Sequence, residues 1–227
     1  ASSGSLIKLM KFGFKNKIKF KHLYRKYDEI LSCKEIDNIY VGTLNNTHYD
    51  FIIKCIDAGK NVLCEKPFVI NYDQAEKIKE KINNSNIFFL EAIAYRTHPQ
   101  TIQIVELLRK KIIEKVIKIK SNFGFNAGLP KKNSRLFNYN FGGGSILDLG
   151  CYPLTMSNLI ANIHNNNKEI IPILEDVSGE IHNFGVDLNA RAKLNYSNSI
   201  ISEINVSING NMENITEIIG ENGSMKI

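Results

Sequence analysis

Between residues 36 and 91 the chain switches repeatedly between two hydrophobic periods, and few folds accommodate that pattern. Residues 36–43, from Ile36 through Ile39, Tyr40 and Val41 to Thr43, are rich in β-formers and read as a strand. Thr47 opens a helical stretch in which Phe51, Ile52, Cys55 and Ile56 recur at helical spacing, with Gly59 as its stop. Val62, Leu63 and Cys64 form a short apolar strand. Residues 72–84 form a second helix with Ala75, Ile78 and Ile82 on one face, and 87–90 form a third strand ending on Glu91. This β-α-β-α-β order predicts a parallel sheet covered by helices. A helix over 99–113 closes the unit, which gives a first domain over 1–114.

Beyond residue 115 the rhythm changes. Residues 116–125 alternate as a strand, 126–144 form a loop rich in Gly, Pro, Asn and Lys, and a helix begins near Ser145. Short strands then follow at 178–185, 187–196, 199–208, 213–219 and 224–227. Consecutive strands with few helices predict an α+β domain over 115–227 with a mostly antiparallel sheet.

The 227 residues are 43% hydrophobic and 23% charged, as in an ordinary soluble globular protein. The net charge is +6, and Lys15, Lys17, Lys19 and Lys21 form its densest patch. No nucleic-acid motif accompanies the charge, so a solvated surface explains it, and a dinucleotide or sugar phosphate suits it equally. Cys33, Cys55, Cys64 and Cys151 show no C-x-x-C pairing, which fits a reducing cytoplasm. No apolar run approaches the ~18 residues of a membrane-spanning helix.

Four clusters carry candidate chemistry. The strand at 61–64 delivers Glu65 and Lys66 into a turn locked by Pro67, and ligands of open α/β sheets bind at carboxyl strand ends. The segment Thr43, Leu44, Asn45, Asn46, Thr47, His48 runs from a strand end into a helix start. There, backbone N–H groups favour an anion, or Asn46 or Thr47 simply caps the helix while His48 packs. Glu91 and Arg96 follow the third strand, and Arg96 is either a charged clamp on a ligand or an inter-domain ion pair. Finally, Gly142, Gly143 and Gly144 precede Ser145, Asp148 and Tyr152. Ser145 with Asp148 has the spacing of a capping box, whereas Asp148 and Tyr152 at i and i+4 share a helix face. The glycines form a flexible loop or admit a ligand close to the backbone. A phenol beside a carboxylate, opposite a lysine, makes a proton-transfer set.

Three stretches taken together, 42–68, 91–100 and 142–154, resemble the Gfo/Idh/MocA family, the relatives of glucose–fructose oxidoreductase and inositol dehydrogenase. The likeness covers essentially the whole chain and is nearest the dihydrodiol dehydrogenases and NADP-linked aldose dehydrogenases. It implies an N-terminal Rossmann domain followed by a domain built on a large, mostly antiparallel sheet, through which family members commonly associate. It also implies hydride transfer between NADP or NAD and a sugar, polyol or vicinal diol. In this reading Lys66 polarises the substrate oxygen or lowers the phenol pKa from ~10. Tyr152, a His in the inositol dehydrogenase branch, is the acid/base, and Asp148 orients the substrate. Thr43, Leu44, Asn45, Asn46, His48, Glu65, Lys66 and Pro67 line the cofactor path, with Glu91 and Arg96 on its nicotinamide side. No metal is implied.

The chain departs from the family in two ways. No G-x-G-x-x-G occurs, and a βαβ opening of ~30 residues is missing, so the reading is of an internal segment of a longer protein with an incomplete Rossmann sheet. Ser2 and Ser3 align with the end of the family's second strand, where an acid reads ribose hydroxyls and an Arg reads a 2′-phosphate. Neither is present, and the missing acid leans to NADP. The competing expectation is a non-catalytic sensor on the same scaffold.

Overall fold

The computed structural model describes residues 6–165 and 167–227. Ser2 and Ser3 lie outside the described residues. The chain divides into two compact units, one built from residues up to Thr43 and from Thr47 to Glu91, the other from Leu44–Asn46 and Ala92–Ile227.

The first unit runs α1 (Leu6–Lys15), α2 (Tyr27–Leu31), β1 (Asn38–Val41), α3 (Asn45–Asp57), β2 (Asn61–Glu65), α4 (Tyr72–Asn83) and β3 (Phe89–Ala92). Its sheet has the order β1-β2-β3, and β1 and β2 are parallel with Val41 opposite Cys64. Helix α3 starts at Asn45, ahead of Thr47, and Gly59 follows it at φ +65°, a left-handed turn that glycine enters without a Cβ penalty. Asn71 caps α4, its side chain accepting from Gln74 N at 3.0 Å.

Strand alternation decides which side of this sheet is covered. Val62 and Cys64 point into a core with Ile52, Cys55 and Ile56 of α3 and Ile78 of α4, while Leu63 between them is exposed. Burial also acts on the thiols. It pushes Cys55 up to about 11 and Cys64 up to about 12, the latter helped by the nearby Glu91 and Glu65 charges.

The second unit comprises α5 (Pro99–Arg109), β4 (Val116–Gly124), α6 (Cys151–His164), β5 (Ile173–Ile181), β6 (Asp187–Asn195), β7 (Ile201–Ser207), β8 (Ile215–Gly220) and β9 (Gly223–Lys226). The six strands are ordered β5-β6-β7-β4-β8-β9. Only the β4–β7 pairing is parallel; the others are antiparallel. One face packs on the helices: Ile119, Ile204 and Ile218 from the strands meet Leu108 of α5 and Ile160 and Ala161 of α6.

Two further elements differ from the sequence reading. Helix α5 ends at Arg109 and belongs to the second unit, because its buried residues Ile104 and Leu108 join that unit's core. Strand β5 begins at Ile173 rather than near residue 178; all nine of its residues are exposed, so no buried alternation marks its start. No helix among the described residues is long and apolar enough to cross a membrane.

The packing predicts two outcomes. In the folded protein Cys55 and Cys64 resist an aromatic disulfide reagent and react once denaturant unfolds the first unit; their modification in the native state contradicts this core. Ile52→Ala, at a position with no exposure, lowers stability by about 2–5 kcal/mol in urea titration.

Candidate active site

The turn leaving β2 is gripped by side chains from three other elements. Tyr40 of β1 donates its hydroxyl to Glu65 Oε1 at 2.5 Å. His48 of α3 places Nδ1 2.8 Å from the carbonyl oxygen of Pro67. On the far side, Phe68 N donates to Glu91 Oε1 of β3 at 3.0 Å, and the Phe68 ring meets Phe89 edge-on at 5.4 Å. Two of these bonds end on carboxylates, which makes them stronger than neutral pairs. Lys66, half-buried, sits between the gripped residues, and the Lys66–Pro67 peptide is cis.

Of the two roles the sequence leaves open for His48, these contacts support packing. Its ring is wholly buried, and its second nitrogen, Nε2, lies 3.2 Å from Thr43 O. Both nitrogens therefore face backbone carbonyls. Glu65 and Glu91 likewise use a carboxylate oxygen to hold the turn. The hydroxyl of Thr47 donates to that of Thr43 at 2.7 Å, tying the helix start to the strand end.

Leu44, Asn45 and Asn46 cluster with the second unit. Asn45 Nδ2 donates to Gly142 O at 2.9 Å, and Leu44 is exposed. Asn46 Oδ1 is buried and has no hydrogen-bond partner among the described residues. A buried acceptor left unpaired costs free energy until a donor arrives. A ribose hydroxyl or a carboxamide N–H is such a donor, so this position fits a nicotinamide dinucleotide. Arg96 stands exposed on the 3₁₀ turn Ala94–Thr97.

The glycine-rich approach to Asp148 and Tyr152 is neither loose nor open. All three glycines are buried. At Gly144, with φ +111°, a Cβ would collide with Asp187 Oδ1, and at Gly143 it would come within 2.5 Å of Leu136 O. The close approach has a purpose. Asp187, the first residue of β6, accepts from Ser145 Oγ at 2.5 Å and from Ile146 N at 2.7 Å, so it fastens the start of the helical segment. Ser145 and Asp148 thus do not form a capping box. Instead Asp148, 5% exposed, accepts from Arg135 Nη1 at 2.9 Å.

Residues Ile146–Gly150 wind as a π-helix before α6 begins at Cys151, so the spacing from Asp148 to Tyr152 crosses a change of winding. Tyr152 packs edge-on against Phe123 at 5.2 Å and lies 6.4 Å from Tyr95. A cavity of about 400 Å³ opens beside these rings, lined also by Asn122, Met156 and Thr216. Aromatic walls with a few polar groups are what small-molecule sites commonly offer. Burial raises the Tyr95 phenol pKa, partly offset by its bond to Thr155.

Sequence patterns did not flag Tyr40, Arg135 or Asp187. Each acts on a partner at least thirteen positions away, beyond the reach of helix or strand periodicity.

Comparison with known proteins settles the ancestry of these two units. A profile for "Oxidoreductase family, NAD-binding Rossmann fold" matches residues 10–92, and one for the "GFO/IDH/MocA C-terminal domain" matches 101–226. The chain belongs to the Gfo/Idh/MocA oxidoreductase family. Among its family relatives is the trans-1,2-dihydrobenzene-1,2-diol dehydrogenase of Xenopus tropicalis, 31% identical over 204 residues, which are 90% of this chain and 59% of that protein. The D-xylose 1-dehydrogenase (NADP(+)) of Hypocrea jecorina is 34% identical over 139 residues, 58% of this chain and 36% of that one. The crystal structure of aldose-aldose oxidoreductase from Caulobacter crescentus shares the fold with a TM-score of 0.85 at 21% identity, over 99% of this chain and 66% of that one. The chain thus spans 59% of the length of the first of these family members.

The grip on the Lys66 turn carries a pH signature. The bond to Glu65, then burial, pushes the Tyr40 phenol from 10.0 up to about 12. Its stabilising contribution is therefore complete below pH 10 and is lost as pH rises through about 12. Phenolate absorbance of the wild type minus that of Tyr40→Phe reads this titration; a midpoint at the ordinary phenol value contradicts the bond.

Proposed function

We propose that the chain serves an NAD(P)-dependent oxidoreductase activity that interconverts a CH–OH group and a carbonyl on a sugar, polyol or vicinal diol. The observation that carries this reading is Lys66, presented at the carboxyl end of a parallel strand on a turn held from both sides. Thr43, Leu44, Asn45, Asn46 and Arg96 would hold the cofactor, with Asn46 Oδ1 supplying a buried acceptor. The nicotinamide, when bound, supplies or accepts the hydride. The protein's own residues handle the proton and the orientation. Lys66 would polarise the substrate oxygen, and Tyr152 would serve as the acid/base for the hydroxyl proton. Asp148, fixed by Arg135, orients the substrate from a buried position.

NADP is preferred over NAD in this reading, because Ser2 and Ser3 offer no acid to the ribose and one relative's name specifies NADP(+). The substrate class rests on the diol and aldose chemistry named for the relatives and on the aromatic cavity beside Tyr152. The second unit's sheet is proposed as the association surface of a homo-oligomer: its edge strand β5 leaves Ile173, Leu174, Val177 and Ile181 exposed.

In the full chain, Lys66→Met lowers turnover of NADP with aldoses or trans-diols by about 10²–10⁴-fold, with an unchanged thermal midpoint. Turnover equal to wild type overturns the assignment.

A further inference from the structure

The residue directly after Lys66 needs a partner from outside the turn. Pro67 is buried, and as a proline it carries a single backbone polar group, its carbonyl. A buried carbonyl needs a donor. The structure supplies His48 Nδ1 at 2.8 Å. The same ring reaches Thr43 O with Nε2 at 3.2 Å, so one side chain bridges the end of β1 and the residue after Lys66.

We propose that His48 is a positioning residue for Lys66: its buried ring fixes the Pro67 carbonyl and thereby the backbone that presents the lysine amine. This rests on the oxidoreductase reading for its kinetic consequence, although the anchor itself is independent of it. A neutral imidazole has one N–H. The shorter contact takes it, so the ring is the Nδ1–H tautomer, and a doubly protonated ring keeps the same bond. The other two grips do not substitute for it. Tyr40 holds Glu65 from an exposed position, and Glu91 holds Phe68 beyond the proline. Neither reaches the carbonyl that directly follows the lysine. Displacing a reacting group by about 1 Å costs on the order of 100-fold in rate.

The test combines two readouts on the full chain. In the wild type labelled with ¹⁵N-histidine, NMR is expected to show His48 with its proton on Nδ1 and slow exchange with solvent. An Nε2–H tautomer overturns the proposal, whatever the activity. In kinetics, His48→Phe keeps ring size without a donor and is expected to lower kcat about 100-fold while KM for NADP changes less than about threefold. His48→Asn, whose amide N–H takes the place of Nδ1–H, recovers kcat to within about tenfold of wild type. In a Lys66→Met background, His48→Phe adds no further loss, because its effect passes through the lysine. Wild-type turnover in His48→Phe, or losses that multiply with Lys66→Met, overturns the role. If the phenylalanine variant does not fold, the wild-type tautomer and His48→Asn decide. If the wild type turns over no aldose or diol, the functional reading falls, and the tautomer alone judges the anchor.

Discussion

A buried proline offers its surroundings one carbonyl and nothing else, so the donor that meets it determines the path of the chain there. At Pro67 that donor is His48, and several elements of the first unit meet at this contact. Helix α3 brings the histidine, and β1 ends at the level where its other nitrogen meets Thr43. Strand β3 contributes the carboxylate that receives Phe68 N. The core beneath, with Ile52, Val62 and Cys64 fully or almost fully buried, keeps these elements in register. Lys66 thus stands on a turn held by contacts from three other elements.

The second unit solves the same problem with different groups. Its candidate residues Asp148 and Tyr152 lie on a helical segment whose start must be fixed, and the fixing group is Asp187 at the head of β6. Gly143 and Gly144 before that segment are there because the carbonyl of Leu136 and the carboxylate of Asp187 approach too closely for a Cβ. Arg135 then holds Asp148 by charge. In both units a residue proposed for chemistry is steadied by one that is remote in sequence. Such support keeps a constellation within the narrow geometry that proton transfer demands.

Much of this was legible in the chain itself. Five alternating periods between residues 36 and 91 state a parallel sheet, and the strand ends that carry Glu65 and Glu91 follow from them. The run of short strands after residue 175 states a mostly antiparallel sheet. Where the structure departs from a local pattern or decides between two open readings, a long-range partner is responsible. Ser145 and Asp148 have the spacing of a capping box, but Asp187 and Arg135 take their side chains. Periodicity assigns α5 to the first unit, whereas the placement of Ile104 and Leu108 assigns it to the second. His48 looks like a ligand-facing residue at a helix start, yet its partners are the backbone of Thr43 and Pro67, and the latter is nineteen positions on. No spacing rule reaches that far.

Amide hydrogen exchange at Phe68 tests most directly whether Lys66 is presented by a held turn. Its N–H donates to Glu91 Oε1 just beyond the proline that His48 anchors. A held turn predicts that this amide exchanges as slowly as those inside β2, such as Val62, and that Glu91→Ala releases it selectively. Exchange of the Phe68 amide at the rate of an open surface loop, with the β2 amides still protected, would contradict the account.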